Sequence, residues 1–153
     1  MMHQGIRTSV ERIPARDPDG AAPLALAFVG DTVYDLYIRT MIVDTMDAVP
    51  HEMHVRAASF ACASGQAEAY RRIEPVLSEE ERAVFRRGRN AHSGTVPKNA
   101  SVSDYRTATG LEALVGWLYL KDREERLNQL FQRILEETDG REEEPGTAEY
   151  QQK

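Results

Sequence analysis

Apolar side chains at Leu24, Phe28, Val29, Val33, Leu36, Tyr37, Ile38 and Met41 recur at the spacing of a helical face. This pattern predicts a helix from Leu24 to about Thr45. An alanine-rich stretch from His54 to Arg72 predicts a second helix, ending near Pro75. Ser78 followed by Glu79, Glu80 and Glu81 has the form of a capped start, in which hydroxyl and carboxylate satisfy the first free N–H groups. The third helix then runs to about Arg89. Asp104 to Leu120 predicts a fourth helix, strongly apolar. Arg123 to Thr138 predicts a fifth, with Leu127, Leu130, Phe131, Ile134 and Leu135 on one side. Between the third and fourth, Asn90 to Ser103 is polar and contains Gly94 and Pro97, so it reads as a loop. No segment alternates as a strand would, and no repeat is present. The expected fold class is all-α, a helical bundle.

At 153 residues, with 41% hydrophobic and 29% charged side chains, the chain has the size and composition of one soluble domain with a real core. Residues 1–20 read as an irregular arm, since the stretch from Arg12 to Gly20 is turn-rich and short of apolar side chains. Residues 21–138 form the expected domain, and the glutamate-rich residues 139–153 an acidic, disordered tail. No run approaches the ~18 apolar residues of a membrane span. The charged first twenty residues do not resemble a secretory signal. The single cysteine, Cys62, excludes an internal disulfide and a cysteine-based metal cage. A bacterial or organellar reducing compartment is the default for such a chain, and a cytoplasmic location is expected.

The net charge of −6 argues against a nucleic-acid partner until its distribution is considered. From Glu136 to Lys153 there are seven acids and two bases, so the tail carries −5 of the total. From Arg82 to Arg106 there are six bases and one acid, a window of +5. Asymmetry of this kind bears on partners more than the total does. Arg87, Arg89, Asn90, Lys98 and Asn99 are suitable donors to the phosphates and 2′-hydroxyls of duplex RNA, which is read mainly by shape. A solvated helix face is the alternative for the same residues.

Two acids stand alone in apolar surroundings. Asp31 is the only charged residue between Gly20 and Tyr34, and Glu112 the only one from Thr107 to Leu120. A carboxylate so placed is costly unless compensated. If two converge they repel, and one takes up a proton. A divalent cation removes the conflict, and Mg2+ suits it best because it keeps several waters and needs only one or two carboxylates. The alternative is a solvated stripe, because Asp31, Asp35 and Arg39 follow each other at i, i+4 spacing. Asp104, two turns before Glu112, either supports the site or serves as a helix cap or first-turn acid. His51 and His54 have no further residue to complete a metal site, and no Ser, Cys or His pattern suggests a nucleophile.

Leu26-Ala27-Phe28-Val29-Gly30-Asp31-Thr32-Val33-Tyr34-Asp35 resembles the signature helix of the ribonuclease III family. Leu111-Glu112-Ala113-Leu114-Val115-Gly116 resembles that family's second acidic helix. The nearer likeness is to Mini-ribonuclease III, the short form lacking a double-stranded-RNA-binding domain. Leu24-Ala25-Leu26-Ala27, Arg87-Gly88-Arg89-Asn90-Ala91, Pro97-Lys98-Asn99 and Tyr105-Arg106 stand in its order and spacing. The resemblance covers about Leu24 to Leu135.

What the resemblance implies is a ribonuclease III catalytic domain acting as a homodimer on double-stranded RNA with Mg2+, for which Mn2+ can substitute. The products would carry 5′-phosphate and 3′-hydroxyl ends. The implied role is maturation of the ends of 23S rRNA precursor during large-subunit biogenesis, with a large-subunit ribosomal protein as a candidate helper. By motif match, Asp31 and Glu112 are the catalytic metal carboxylates. Phe28 falls where the family has an aromatic knob at the dimer interface, and ordinary core is its other reading. Ala27 stands where full-length members carry a glutamate. Thr109 stands where an aspartate usually precedes the catalytic glutamate by three residues. The acidic cluster is correspondingly smaller. A non-catalytic, dimeric RNA-binding assembly factor of the same fold is the alternative, and a helical protein-interaction module a third reading.

Overall fold

The two most apolar stretches of the chain become its two longest helices, and the other elements assemble on them. A computed structural model describes residues 17–91 and 94–139, with the backbone alone for 137–139. The helices are α1 (Pro23–Thr45), α2 (Pro50–Ala61), α3 (Ala63–Ile73), α4 (Glu79–Asn90), α5 (Val102–Leu120) and α6 (Glu124–Asp139). Short 3-10 turns occupy Pro18–Gly20 and Glu74–Val76. Among the described residues there is no strand, so the fold is all-α as expected. The acidic tail beyond Asp139 and the arm before Asp17 lie outside the described residues.

The stretch expected to form one helix from His54 to Arg72 forms two, α2 and α3. They meet at Cys62, whose backbone is extended (φ −68°, ψ 159°). The break contains no proline. Its requirement appears three residues later, where a Cβ on Gly65 would lie 2.0 Å from the Ser59 carbonyl oxygen. Pro50 opens α2 four residues before the expected start, at a position where its missing N–H has no cost. Ser78 caps α4 as expected: its hydroxyl accepts from the Glu81 N–H, and the Glu81 carboxylate accepts from the Ser78 N–H. Ser101, rather than Asp104, caps α5 and accepts from the Asp104 N–H at 3.0 Å.

α5 is the axis of the domain. Leu111, Ala113, Leu114, Val115, Trp117 and Leu118 are all buried, so the second half of the helix is enclosed on nearly every side, with Glu112 half-buried. This explains why its sequence is apolar without a polar face. α1, α3, α4 and α6 pack around it. α6 is fastened by side chains reaching backbone: Arg126 donates to the Val76 carbonyl and to buried Glu81, while Arg72 donates to the Ile134 carbonyl at 2.7 Å. At the far end of α5, Asp19 accepts from the Trp117 indole at 2.9 Å and from Lys121 at 2.7 Å, which joins the Pro18–Gly20 turn to the bundle.

α1 and α5 cross in backbone contact. A Cβ on Gly30 would lie 1.7 Å from the Glu112 carbonyl oxygen, and one on Gly116 would lie 1.9 Å from that of Leu26. Only glycine permits this separation, and the crossing sets where the charged side chains beside it can meet.

Candidate active site

Asp31 follows Gly30 directly on α1. Glu112 is the α5 residue whose carbonyl faces Gly30. The crossing therefore brings together the two acids that stand alone in the sequence. Asp31 is exposed, whereas Glu112 is half-buried. Burial, and after it the charge of Asp31, push the Glu112 carboxyl up to about 7. A hydrogen bond from the Gln66 side chain on α3 opposes the rise. Glu112 is thus held at the balance between charged and neutral near pH 7.

Two converging carboxylates form an all-oxygen donor set that a divalent cation would neutralise. Among the described residues no group of three or more His, Cys, Asp or Glu side chains gathers to hold a metal. Such a site fits a hard cation that retains most of its waters. Asp35, by contrast, belongs to an exposed pair, accepting from Arg39 at 2.9 Å. The i, i+4 ion pair thus exists for those two residues, while Asp31, also exposed, is near enough to Glu112 for its charge to raise that carboxyl.

Asp104 is placed elsewhere. It is a first-turn acid of α5, 3.6 Å from the Arg71 guanidinium, and two turns (about 12 Å along the axis) from Glu112. Its charge does not figure among the causes of the Glu112 shift. Thr109, in the position where an aspartate is usual, donates its hydroxyl to the Tyr105 carbonyl at 3.1 Å.

The basic residues lie on an adjoining part of the surface. Arg87, Arg89 and Asn90 are exposed in the last turn of α4. That turn is pinned to α5 at Gly88, where a Cβ would lie 2.6 Å from the Ala113 Cβ, next to Glu112 in sequence. Lys98 and Asn99 are exposed in a turn closed by the Ala100 N–H donating to the Pro97 carbonyl. Of the polar loop between them, His92 and Ser93 lie outside the described residues. Arg86, not singled out by the sequence reading, joins Pro23, Arg87 and Asn90 in lining an open groove between α4 and the start of α1. Phe28 is 81% exposed, which removes the core reading of this residue. Leu24 and Leu36, one turn before and two turns after it, are also exposed and extend an apolar stripe along α1.

The model of the ribonuclease III domain matches residues 24–123. The chain belongs to the ribonuclease III family. Within that family it is similar to Mini-ribonuclease 3 of Thermoanaerobacter sp. (strain X514), with 46% identity over 119 residues, covering 76% of this chain and 84% of the relative. Mini-ribonuclease 3 of Clostridium tetani is 40% identical over 126 residues, covering 82% and 83%. A Fusobacterium nucleatum protein of known crystal structure superposes with a TM-score of 0.72 at 27% identity, covering 81% of this chain and 99% of that one. This ribonuclease III protein is of the Mini-ribonuclease 3 type, and it is an endoribonuclease. Among the described residues, no helix is long and apolar enough to cross a membrane.

Gln66 was not legible as a site residue. In the sequence it is one polar side chain in an alanine-rich helix, as a solvent-facing residue would be. It is buried on α3, which packs along α5, and it counters the rise of the Glu112 carboxyl.

Proposed function

We propose that the chain is a Mg2+-dependent endoribonuclease that cleaves double-stranded RNA as a homodimer and matures the ends of 23S rRNA precursor in the cytoplasm. The observation that carries this reading is the convergence of Asp31 and Glu112 at the Gly30–Gly116 crossing. Mg2+, when bound, supplies activation of a water and stabilisation of charge on the scissile phosphate, and Mn2+ can take its place. Asp31 and Glu112 hold it, directly or through water. Hydrolysis leaves 5′-phosphate and 3′-hydroxyl ends. Glu112 must be ionised to serve, so proton release accompanies metal binding. Arg87, Arg89, Asn90, Lys98 and Asn99 bind phosphates and hydroxyls along the duplex, a sequence-independent and salt-sensitive contact.

The exposed stripe through Phe28 supports self-association, since a large apolar side chain so open to water is stabilised by burial against a second copy. Two centres related by a two-fold axis can address both strands of a duplex. A large-subunit ribosomal protein is proposed as the helper that presents the precursor.

The test is cleavage of an end-labelled duplex spanning a large-subunit rRNA end. Cleavage should appear with Mg2+, vanish with EDTA, and fall by about 100-fold or more in Asp31→Asn and Glu112→Gln while RNA binding persists. Undiminished cleavage by either variant would remove that residue from the site. Binding without cleavage by the unaltered chain, across several duplexes and metals, would overturn the substrate assignment.

A further inference from the structure

The open groove between α4 and the start of α1 is lined by Pro23, Ala83, Arg86, Arg87, Asn90 and Ala91. Ala83, Arg86, Arg87 and Asn90 recur at i, i+3, i+4 and i+7, so one face of α4 forms its wall. Pro23, the first residue of α1, stands against that wall. The volume is about 670 Å3, within the ~300–1,000 Å3 of pockets that hold molecules of drug size. On the far side of α4, Gly88 is packed against Gly110 and Ala113, so the wall has a fixed place relative to Glu112.

Two kinds of chemistry meet in this groove. Pro23, Ala83 and Ala91 offer small apolar surface. Arg86 and Arg87 are exposed, and among the described residues neither guanidinium has an ion-pair or hydrogen-bond partner. Arg82, one turn earlier, is by contrast held by the Glu74 and Leu77 carbonyls. The Asn90 side-chain oxygen accepts from Arg89 at 3.5 Å, which leaves its NH2 group as a donor. None of the six lining side chains is acidic. The first turn of α1 holds no acid either, so the positive end of its dipole beside Pro23 is not offset.

We propose that this groove takes one unpaired nucleotide of the RNA, with its base on the apolar floor against a guanidinium plane and its phosphate at Arg86 and Arg87. The inference deepens the double-stranded-RNA reading above and rests on it. A duplex phosphate alone would be met by the cations and would make no use of an apolar floor. A paired base cannot enter, because its faces are stacked within the helix. An unpaired nucleotide presents a flat face and a charge together, and arginine planes serve as platforms for such bases. Pro23 lies eight residues before Asp31, about 12 Å along α1. The groove is thus separate from the two carboxylates but close enough for one RNA to occupy both. The consequence is selectivity, in that a duplex interrupted by an unpaired nucleotide near the scissile bond is preferred to a perfect one.

The experiment uses the full chain and a series of duplexes in which one unpaired 2-aminopurine is moved stepwise away from the cleavage site. A fully paired duplex is the comparison. Binding is followed in EDTA by 2-aminopurine fluorescence, and cleavage separately with Mg2+. At one position of the unpaired base the fluorescence should change on binding, and kcat/KM should exceed that of the paired duplex by about 5-fold or more. Ala83→Leu fills the groove without altering charge, and leucine is a good helix former. Arg86→Gln removes a charge and keeps most of the length. Each variant should lose the fluorescence change and cleave the two duplexes with equal kcat/KM. Absence of any preference in the unaltered chain overturns the proposal, as does a preference retained in folded Ala83→Leu. An equal loss on both duplexes in Arg86→Gln, with the preference intact, overturns it in favour of a plain phosphate contact. If one variant loses its helical circular dichroism, the other decides alone. Failure of the unaltered chain to cleave any duplex would instead overturn the double-stranded-RNA reading, while the fluorescence in EDTA still tests the groove.

Discussion

At the scale of single residues, the site is governed by one carboxyl group held out of its ordinary range. Glu112 is pushed up to about 7 by burial and by Asp31, from the 4.5 of a free glutamate. An acid whose pKa is raised by folding binds more protons in the folded state between these two values. Stability without metal is therefore greatest below about pH 4.5 for this group, and is lost as pH rises through 7. The full difference is on the order of 3 kcal/mol. Thermal melts in EDTA should show the unaltered chain losing stability relative to Glu112→Gln between pH 5 and pH 8, with saturating Mg2+ removing the difference. Parallel pH dependence of the two proteins in EDTA would show that Glu112 is not under this strain. The sequence reveals the two acids because each is a lone charge in an apolar run. It does not reveal Gln66, because an amide among alanines carries no mark of burial.

At the scale of elements, the contact between α1 and α5 connects stability to chemistry. Gly30→Ala would place a methyl group 1.7 Å from the Glu112 carbonyl oxygen, and no side-chain rotation relieves a clash with backbone. The helices must separate. The expected cost is about 3 kcal/mol in denaturant unfolding, with cleavage reduced in whatever fraction remains folded, because Asp31 and Glu112 move apart. Full stability with full activity in this variant would show that the crossing is not needed at this separation. Capping by Ser78, the apolar periodicity of α1 and α6 and the nearly unbroken apolar run of α5 were legible from residues close together in the chain. The division into α2 and α3 was not, since it answers to the approach of Gly65 to Ser59 across the bend, and alanine is compatible with either outcome.

At the scale of the whole molecule, the stripe through Leu24, Phe28 and Leu36 is apolar surface on the helix that also carries Asp31. Periodicity alone could not tell this surface from core, because both require the same spacing. Phe28→Glu should convert a dimer into a monomer in sedimentation velocity with helical content retained, because the side chain makes little contact within its own chain. Loss of about 1.5–3 kcal/mol per buried Phe in each protomer is enough to shift association by one or more orders of magnitude. A dimer that persists in this variant would locate the self-association surface elsewhere. A different consequence follows from the enclosure of α5. Amide protons from Leu111 to Leu118 lie in a helix with neighbours on nearly every side, so their exchange with deuterium should require opening of the entire bundle. The helix that presents Glu112 is then among the last structures to melt, and heat should abolish cleavage only where it unfolds the chain.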